Sequence, residues 1–427
     1  MFQKQKKYFP KINDPQCALK WNWSTLNLTT GTTSSCHRCL PVPLDEKNFD
    51  NFHNLPHKVK EREIMLSGKW PTLENGGSGH CNYCKEIEDN GGKSDRLNML
   101  EQANQVPPEL DKNPRATTVT PKILEIFLND TCNMKCTYCR ADFSSQWRNE
   151  IRKFGALTDL DGRPMLGYTP DHKFVKKRED ISGLVDKTVD WLRRNGHQLS
   201  RLHLLGGETF YQTELDEILD VLEITGHKNL EFNIISNLMV KEERFTSVLE
   251  RIKKMCRDRK IGRFDLTVSI DGLGREIEYA RTGLKCDHFG KLFALAVRQK
   301  WMVLHTNSVI TSMSVKALPP LIEQVKEHRK INSKISMRIN AVQRMPQLHP
   351  AAFGRDFWKH DIENILNLWP ADDMHDRSQR DHIGSMFSAI KNQDPDLRLV
   401  KFFKHYLDQL DKRRNTNWRE VFPYLDI

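Results

Sequence analysis

Between Pro121 and Val342 short apolar runs alternate with longer amphipathic stretches, and this alternation restricts the fold more than any other feature of the 427-residue chain. The apolar runs are Ile123–Leu128, Leu202–Leu205, Phe232–Ile235, Phe264–Ile270, Met302–Leu304, Ser308–Ile310 and Ile335–Ile339. Helix-like segments near Val185–Arg194, Thr213–Leu222, Glu242–Met255, His288–Arg298 and Val315–Lys330 separate them. Repeated strand-then-helix units predict parallel strands with right-handed crossovers, because parallel neighbours need a connection long enough to return across the sheet. About six units are countable, fewer than a closed eight-fold barrel has. The expected fold is α/β, a partial (βα)6 TIM-type barrel, with the polar stretch Gly155–Asp180 as an insertion.

Three segments are expected. Residues 1–118 form a loop-rich, cysteine-bearing module, 119–345 the barrel, and 346–427 a helical extension. The extension should hold helices at Phe357–Trp369, Ser378–Lys391 and Leu397–Leu410, with Pro370 and Pro395 near the breaks. Packing is its default role.

No apolar run is long enough for a membrane span, and Met1–Lys7 lacks the apolar stretch of a secretory signal. A cytoplasmic protein with no membrane partner is the expectation. In that setting the grouped cysteines argue for metal ligation rather than disulfides. Cys256 and Cys286 stand alone and read as buried structural thiols. The net charge of +10 permits an acidic or nucleic-acid partner, but 56 acidic residues are interspersed with 66 basic ones, so most of it reads as solvated surface.

Directly after Ile123–Leu128 comes Asn129-Asp130-Thr131-Cys132-Asn133-Met134-Lys135-Cys136-Thr137-Tyr138-Cys139-Arg140, which puts three cysteines on the loop leaving a strand's carboxyl end. Thiolates at this C-x3-C-x2-C spacing suit three irons of a cubic [4Fe-4S] cluster and leave the fourth iron open to a small molecule. A zinc knuckle is the competing reading, although zinc normally takes four N or S ligands. Cys132, Cys136 and Cys139, with Tyr138 before the last, resemble the signature of radical S-adenosylmethionine enzymes. The resemblance implies that the open iron binds the amino and carboxylate groups of S-adenosylmethionine. One electron, drawn from a reductant such as flavodoxin or ferredoxin, then cleaves it to methionine and a 5′-deoxyadenosyl radical that abstracts hydrogen from a substrate.

Further segments match that family. Gly206-Gly207-Glu208-Thr209 resembles its GGE motif, with Thr209 where proline is common. Two glycines let backbone approach a ligand closely, and Glu208 offers an acceptor for the methionine ammonium group. Ser236-Asn237 and Ser269-Ile270-Asp271-Gly272 are similar to its Ser/Thr-Asn and S-x-D-G elements, and the resemblance turns Ser269 toward the cofactor. Glu278-Tyr279-Ala280-Arg281-Thr282-Gly283 resembles an E-Y-x-R-x-G element, from which Arg281 could pair with the cofactor carboxylate. Tyr138 is expected beside adenine. Turn and cap chemistry competes as an account of Asn237, Ser269 and Asp271, and core packing as one of Tyr138. His305, Asn307, Arg338 and Asn340 are weaker candidates for an inward-facing polar lining, His203 reads as packed or hydrogen-bonded within its strand, and none is named as catalytic.

The amino-terminal module holds Cys17, Cys36, Cys39, Cys81 and Cys84. Two C-x2-C pairs would make a four-thiolate zinc site, but the gap between them exceeds the usual zinc-ribbon spacing. The other reading is an auxiliary iron-sulfur cluster. The cysteine order, with Met65–Pro71 and Glu86, Gly91, Ser94 and Arg96, is similar to the twitch module, a shortened relative of the SPASM domain of enzymes that modify peptides and proteins. Such modules usually follow the barrel, whereas these cysteines precede it. Five thiols exceed the four of a closed cluster, and the sequence does not say which is spare. A peptide or protein substrate follows from the subgroup. RNA modification is a second reading, and a non-enzymatic zinc-binding protein on a degenerate barrel a third.

Overall fold

The computed structural model describes residues 14–36, 38–99, 107–168, 180–354, 356–391 and 394–427. Met1–Lys7 and residues 169–179 of the expected insertion lie outside them. Among the described residues nine strands form one sheet: β1 (Trp23–Asn27), β2 (Thr32–Ser34), β3 (Val42–Pro43), β4 (Ile123–Phe127), β5 (Arg201–Leu205), β6 (His227–Ser236), β7 (Ile261–Ser269), β8 (Val303–Ile310) and β9 (Ile335–Ala341). Their order is β3-β2-β1-β4-β5-β6-β7-β8-β9, open at both edges. From β4 to β9 every neighbouring pair is parallel, in chain order, with helices in the crossovers.

Burial alternates along the strands. In β9, Ile335, Met337 and Ile339 are buried, while Ser336 and Arg338 between them are half-buried. In β5, Leu202 and Leu204 are buried, and Arg201 and His203 are half-buried. A parallel sheet covered by helices on both faces would be apolar throughout. Here the apolar face packs on helices such as Glu242–Arg257 and Leu318–Ile331, and the opposite face is polar.

Two departures from the sequence reading have physical causes. Val303–Leu304 and Ser308–Ile310 belong to one strand, β8, with Met302 just before it, because His305 and Asn307 lie on its polar face and interrupt the apolar run. The amino-terminal module supplies β1, which pairs in parallel with β4 from Trp23↔Ile123 to Asn27↔Phe127 and carries β2 and β3 outside it. The module is anchored by helix Pro56–Leu66, whose buried face is Lys58, Glu61, Arg62 and Met65. That face has helical spacing but charged residues, so no apolar period marks it. Arg62 donates to the Lys20 carbonyl (2.8 Å) and Asn54 Oδ1 (2.8 Å), and Lys58 Nζ to Thr33 Oγ1 (2.9 Å) and the Phe52 carbonyl (2.7 Å).

Next to these cations sits buried His53, its Nδ1 2.7 Å from Ser24 Oγ and its Nε2 2.9 Å from the Trp21 carbonyl. Burial first, then Arg62 and Lys58, hold its pKa well below the usual imidazole value. Because the folded pKa lies below the unfolded one, the stabilisation is complete above about pH 6.5 and is lost as pH falls through the folded value. Stability should drop by about 1.4 kcal/mol per pH unit from about pH 6.5 down to the folded value, and no further below it. Urea midpoints at pH 7.5 and 5.5 check this, and His53→Gln should flatten the slope.

No helix among the described residues is long and apolar enough to cross a membrane. The carboxyl-terminal segment forms helices Lys359–Leu368, Met374–Lys391 and Leu397–Arg414.

Candidate functional site

The three-cysteine loop leaves β4 toward the β5 exit. The Leu128 amide donates to the Leu205 carbonyl (2.9 Å), and the Gly207 and Glu208 amides donate to the Asn129 (2.9 Å) and Thr131 (2.8 Å) carbonyls. An added Cβ on Gly207 would lie 2.4 Å from the Thr131 oxygen, and one on Gly206 2.6 Å from the Asn129 oxygen. The glycine pair therefore serves the approach of loop to loop. On the other side the Lys135 and Thr137 amides donate to the Thr282 (2.9 Å) and Ala280 (2.7 Å) carbonyls, within the segment that carries Arg281. Gly283 (φ 109°) follows, where a side chain would press on the Asn133 oxygen at 2.9 Å.

Three further carbonyls of the loop are held by side chains outside it. Trp147 Nε1 donates to Cys136 (2.8 Å), the Tyr168 hydroxyl to Cys139 (2.6 Å), and the Tyr406 hydroxyl to Thr137 (2.5 Å). Tyr406 belongs to the last long helix, so the carboxyl-terminal extension braces this loop. Arg414, from the same helix, pairs with Glu150 at 3.2 Å and donates to Thr282 Oγ1 at 3.0 Å. Except for Trp147, 11 residues on from Cys136, these braces act across larger separations in the chain and carry no local sequence signal.

Cys132 and Cys136 are each 9 % exposed, and Cys139 is half-buried. Burial pushes the Cys132 thiol up to about 12 and raises those of Cys136 and Cys139 as well. Cys132 Sγ lies 3.4 Å from the Met134 amide and 4.0 Å from Asn237 Nδ2, both donors suited to a thiolate. Metal binding would displace the protons that burial retains.

Glu208 is buried and joins two strand exits. It accepts from the Phe210 amide (3.1 Å), Ser236 Oγ (2.8 Å) and the Asn237 amide (2.6 Å). Burial nevertheless raises its pKa to about 7, the three donors opposing that rise. A carboxylate has about four acceptor sites, so one remains for a ligand. Asn237 Nδ2 also donates to Asn133 Oδ1 at 3.1 Å, within the cysteine loop. Tyr138 and Arg281 meet at buried Asp271. The Tyr138 hydroxyl donates to Asp271 Oδ2 (2.5 Å), while Arg281 donates to the tyrosine hydroxyl and lies 3.3 Å from the same carboxylate. Arg281 Nε is buried without a hydrogen-bond partner among the described residues, leaving a donor for a ligand. Ser269 is half-buried at the end of β7, on the polar face.

That polar face gathers the weaker candidates. His203 Nδ1 lies 3.2 Å from Asn233 Oδ1, and Asn233 Nδ2 donates to Thr267 Oγ1 (2.9 Å). His305 sits between Ser336 Oγ (2.5 Å) and Asp265 Oδ2 (3.4 Å). Asn340 Nδ2 donates to Asn307 Oδ1 (3.1 Å).

The amino-terminal cysteines divide. Cys17, Cys36, Cys81 and Cys84 line a cavity of about 310 Å³, together with Trp70, Arg96 and, from the β9 side, Asn340 and Gln343. Cys39 Sγ lies behind this lining, 3.1 Å from Lys20 Nζ and 3.5 Å from Cys36 Sγ, both of which line the cavity. Arg96 donates to buried Glu88 (2.7 Å) and stacks 4.4 Å over Trp70, so several motif residues beside the cysteines brace one wall. Among the described residues no three His, Cys, Asp or Glu side chains converge as a single metal ion would need. A cluster holds its thiolates farther apart than one ion does, and thiols are the donors iron-sulfur clusters take; the amino-terminal cavity carries four of them, with His80 and Asp95 also in its lining.

No known family's sequence profile matches the chain, and no curated protein matches it. Among solved structures there are 11 matching chains. One, a polyhistidine-tagged anSMEcpe with bound AdoMet, aligns at a TM-score of 0.36 and 15 % identity over 58 % of this chain. The alignment spans 57 % of that chain's length. At that score and identity the likeness assigns no residue.

Proposed function

We propose that the chain is a radical S-adenosylmethionine enzyme of the twitch-bearing kind, its β4–β9 units a partial barrel. The supporting observation is that segments distant in sequence, Gly206–Glu208, Ser236–Asn237 and Ala280–Gly283, all abut the Cys132–Cys139 loop. Cys132, Cys136 and Cys139 would hold a [4Fe-4S] cluster. When bound there with S-adenosylmethionine, the cluster supplies the electron that cleaves the sulfonium and starts hydrogen abstraction. Glu208, with one acceptor site left, would take the ammonium end, beside the Gly206-Gly207 turn that seats the cysteine loop. Arg281 Nε is the donor for the carboxylate, its guanidinium held by Asp271 and Tyr138. Asn237 and the Met134 amide steady the Cys132 sulfur. A peptide or protein side chain is the proposed substrate, and a flavodoxin or ferredoxin the proposed reductant.

Cys17, Cys36, Cys81 and Cys84 are the proposed ligands of an auxiliary cluster, with Cys39 spare beside Lys20. Anaerobic reconstitution with iron and sulfide counting tests both sites. About eight irons per chain are expected. Cys84→Ser should lose about half of them, and Cys39→Ser almost none. A protein that takes up only zinc would favour the non-enzymatic reading.

A further inference from the structure

Among the described residues, one cation on the polar face has no hydrogen-bond or ion-pair partner. Arg338 is half-buried in β9, between Met337 and Ile339 that pack on the opposite face. It makes no hydrogen bond or ion pair with any described residue. The other arginines of this face are paired, Arg201 with Glu231 and Arg263 with Asp265 Oδ1 at 2.6 Å. Asp265 also receives His305, so its carboxylate is committed. Burial lowers the Arg338 pKa, and repulsion from Arg201 and Arg263 adds to the drop against the attraction of Asp265. A guanidinium without a direct partner in a half-dry groove costs stability, and such groups are kept where a ligand supplies the missing charge.

Its surroundings suit a flat anion. Strand register sets Arg338 beside Asn307 and Asn307 beside Ser269, and Asn340 reaches back to Asn307. Ser269, Asn307, Arg338 and Asn340 thus form a polar row across three strands, from the end of β7 through the middle of β8 and β9 to the cysteine-lined cavity that Asn340 borders. Two amides flanking a guanidinium fork match the in-plane lone pairs of a carboxylate. We propose that this row is a carboxylate-binding site, in which Arg338 fixes the acidic side chain or terminal carboxylate of a bound peptide-like ligand. The site rests on the polar face of the sheet and does not depend on iron at either cysteine group.

Ligand-observed NMR titration of the full-length chain tests it with three probes: N-acetyl-aspartate amide, N-acetyl-asparagine amide and inorganic phosphate. The aspartate probe should bind saturably, the asparagine probe should not, and Arg338→Gln should weaken the aspartate probe by about 10-fold or more. Stability supplies a readout independent of the ligand. Removing an unpaired, repelled cation should raise the Tm by about 1–2 °C. Equal binding of the two amides, preference for phosphate, absence of saturable binding, or a lower Tm in Arg338→Gln would each overturn the assignment.

Discussion

Cys136→Ala is expected to remove about half of the reconstituted iron and to reduce S-adenosylmethionine cleavage to the protein-free background. Two sulfurs would remain on a loop built to present three. The thiol is 9 % exposed and its backbone carbonyl is independently held by Trp147 at 2.8 Å, so the loop keeps its path when the side chain is truncated. Circular dichroism and the iron of the amino-terminal site should be unchanged. Anaerobic iron assays and chromatographic detection of 5′-deoxyadenosine measure the two losses. Cleavage retained in this variant would remove the loop from the catalytic account.

Gly207→Ala should have the next largest effect. Its Cβ would sit 2.4 Å from the Thr131 carbonyl oxygen and 2.6 Å from that of Asp130. Both are backbone atoms of the cysteine loop, so the two loops must separate. Overpacking of this kind costs about 1–3 kcal/mol. It should also let a chelator strip iron from the loop faster while sparing the amino-terminal site. Gly290→Ala is the matched control, since nothing lies within 4 Å of its Cβ, and in helix Cys286–Val297 it should be neutral or stabilising by up to about 1 kcal/mol. Denaturant midpoints and chelation rates separate the outcomes. Equal behaviour of the two variants would mean that the GGE turn does not seat the loop.

What was legible in the sequence follows from local pattern. The parallel units of β4–β9 show because their helix-packed face repeats apolar residues at fixed periods. The meeting of Cys132–Cys139 with Gly206–Glu208 and Asn237 was foreseeable once each lay at a strand exit, because exits in parallel units share one end of the sheet. The rest was carried by long-range or polar contacts. Helix Pro56–Leu66 buries Lys58, Glu61 and Arg62, so its inward face reads as surface. Strand β8 is split in the sequence by the residues His305 and Asn307 that give its inner face its chemistry. The brace from Tyr406 to the Thr137 carbonyl, and the turning of Cys39 toward Lys20 while four other thiols face a cavity, have no local signature.

In the proposed enzyme Cys132, Cys136 and Cys139 leave one iron open to S-adenosylmethionine. Electron paramagnetic resonance of the dithionite-reduced, reconstituted Cys84→Ser variant, recorded with and without S-adenosylmethionine, reads that iron with little interference from the amino-terminal site. The account predicts a reduced-cluster signal whose g-values shift when S-adenosylmethionine is added. A signal indifferent to S-adenosylmethionine, or no cluster signal in a protein that retains its fold, would contradict it.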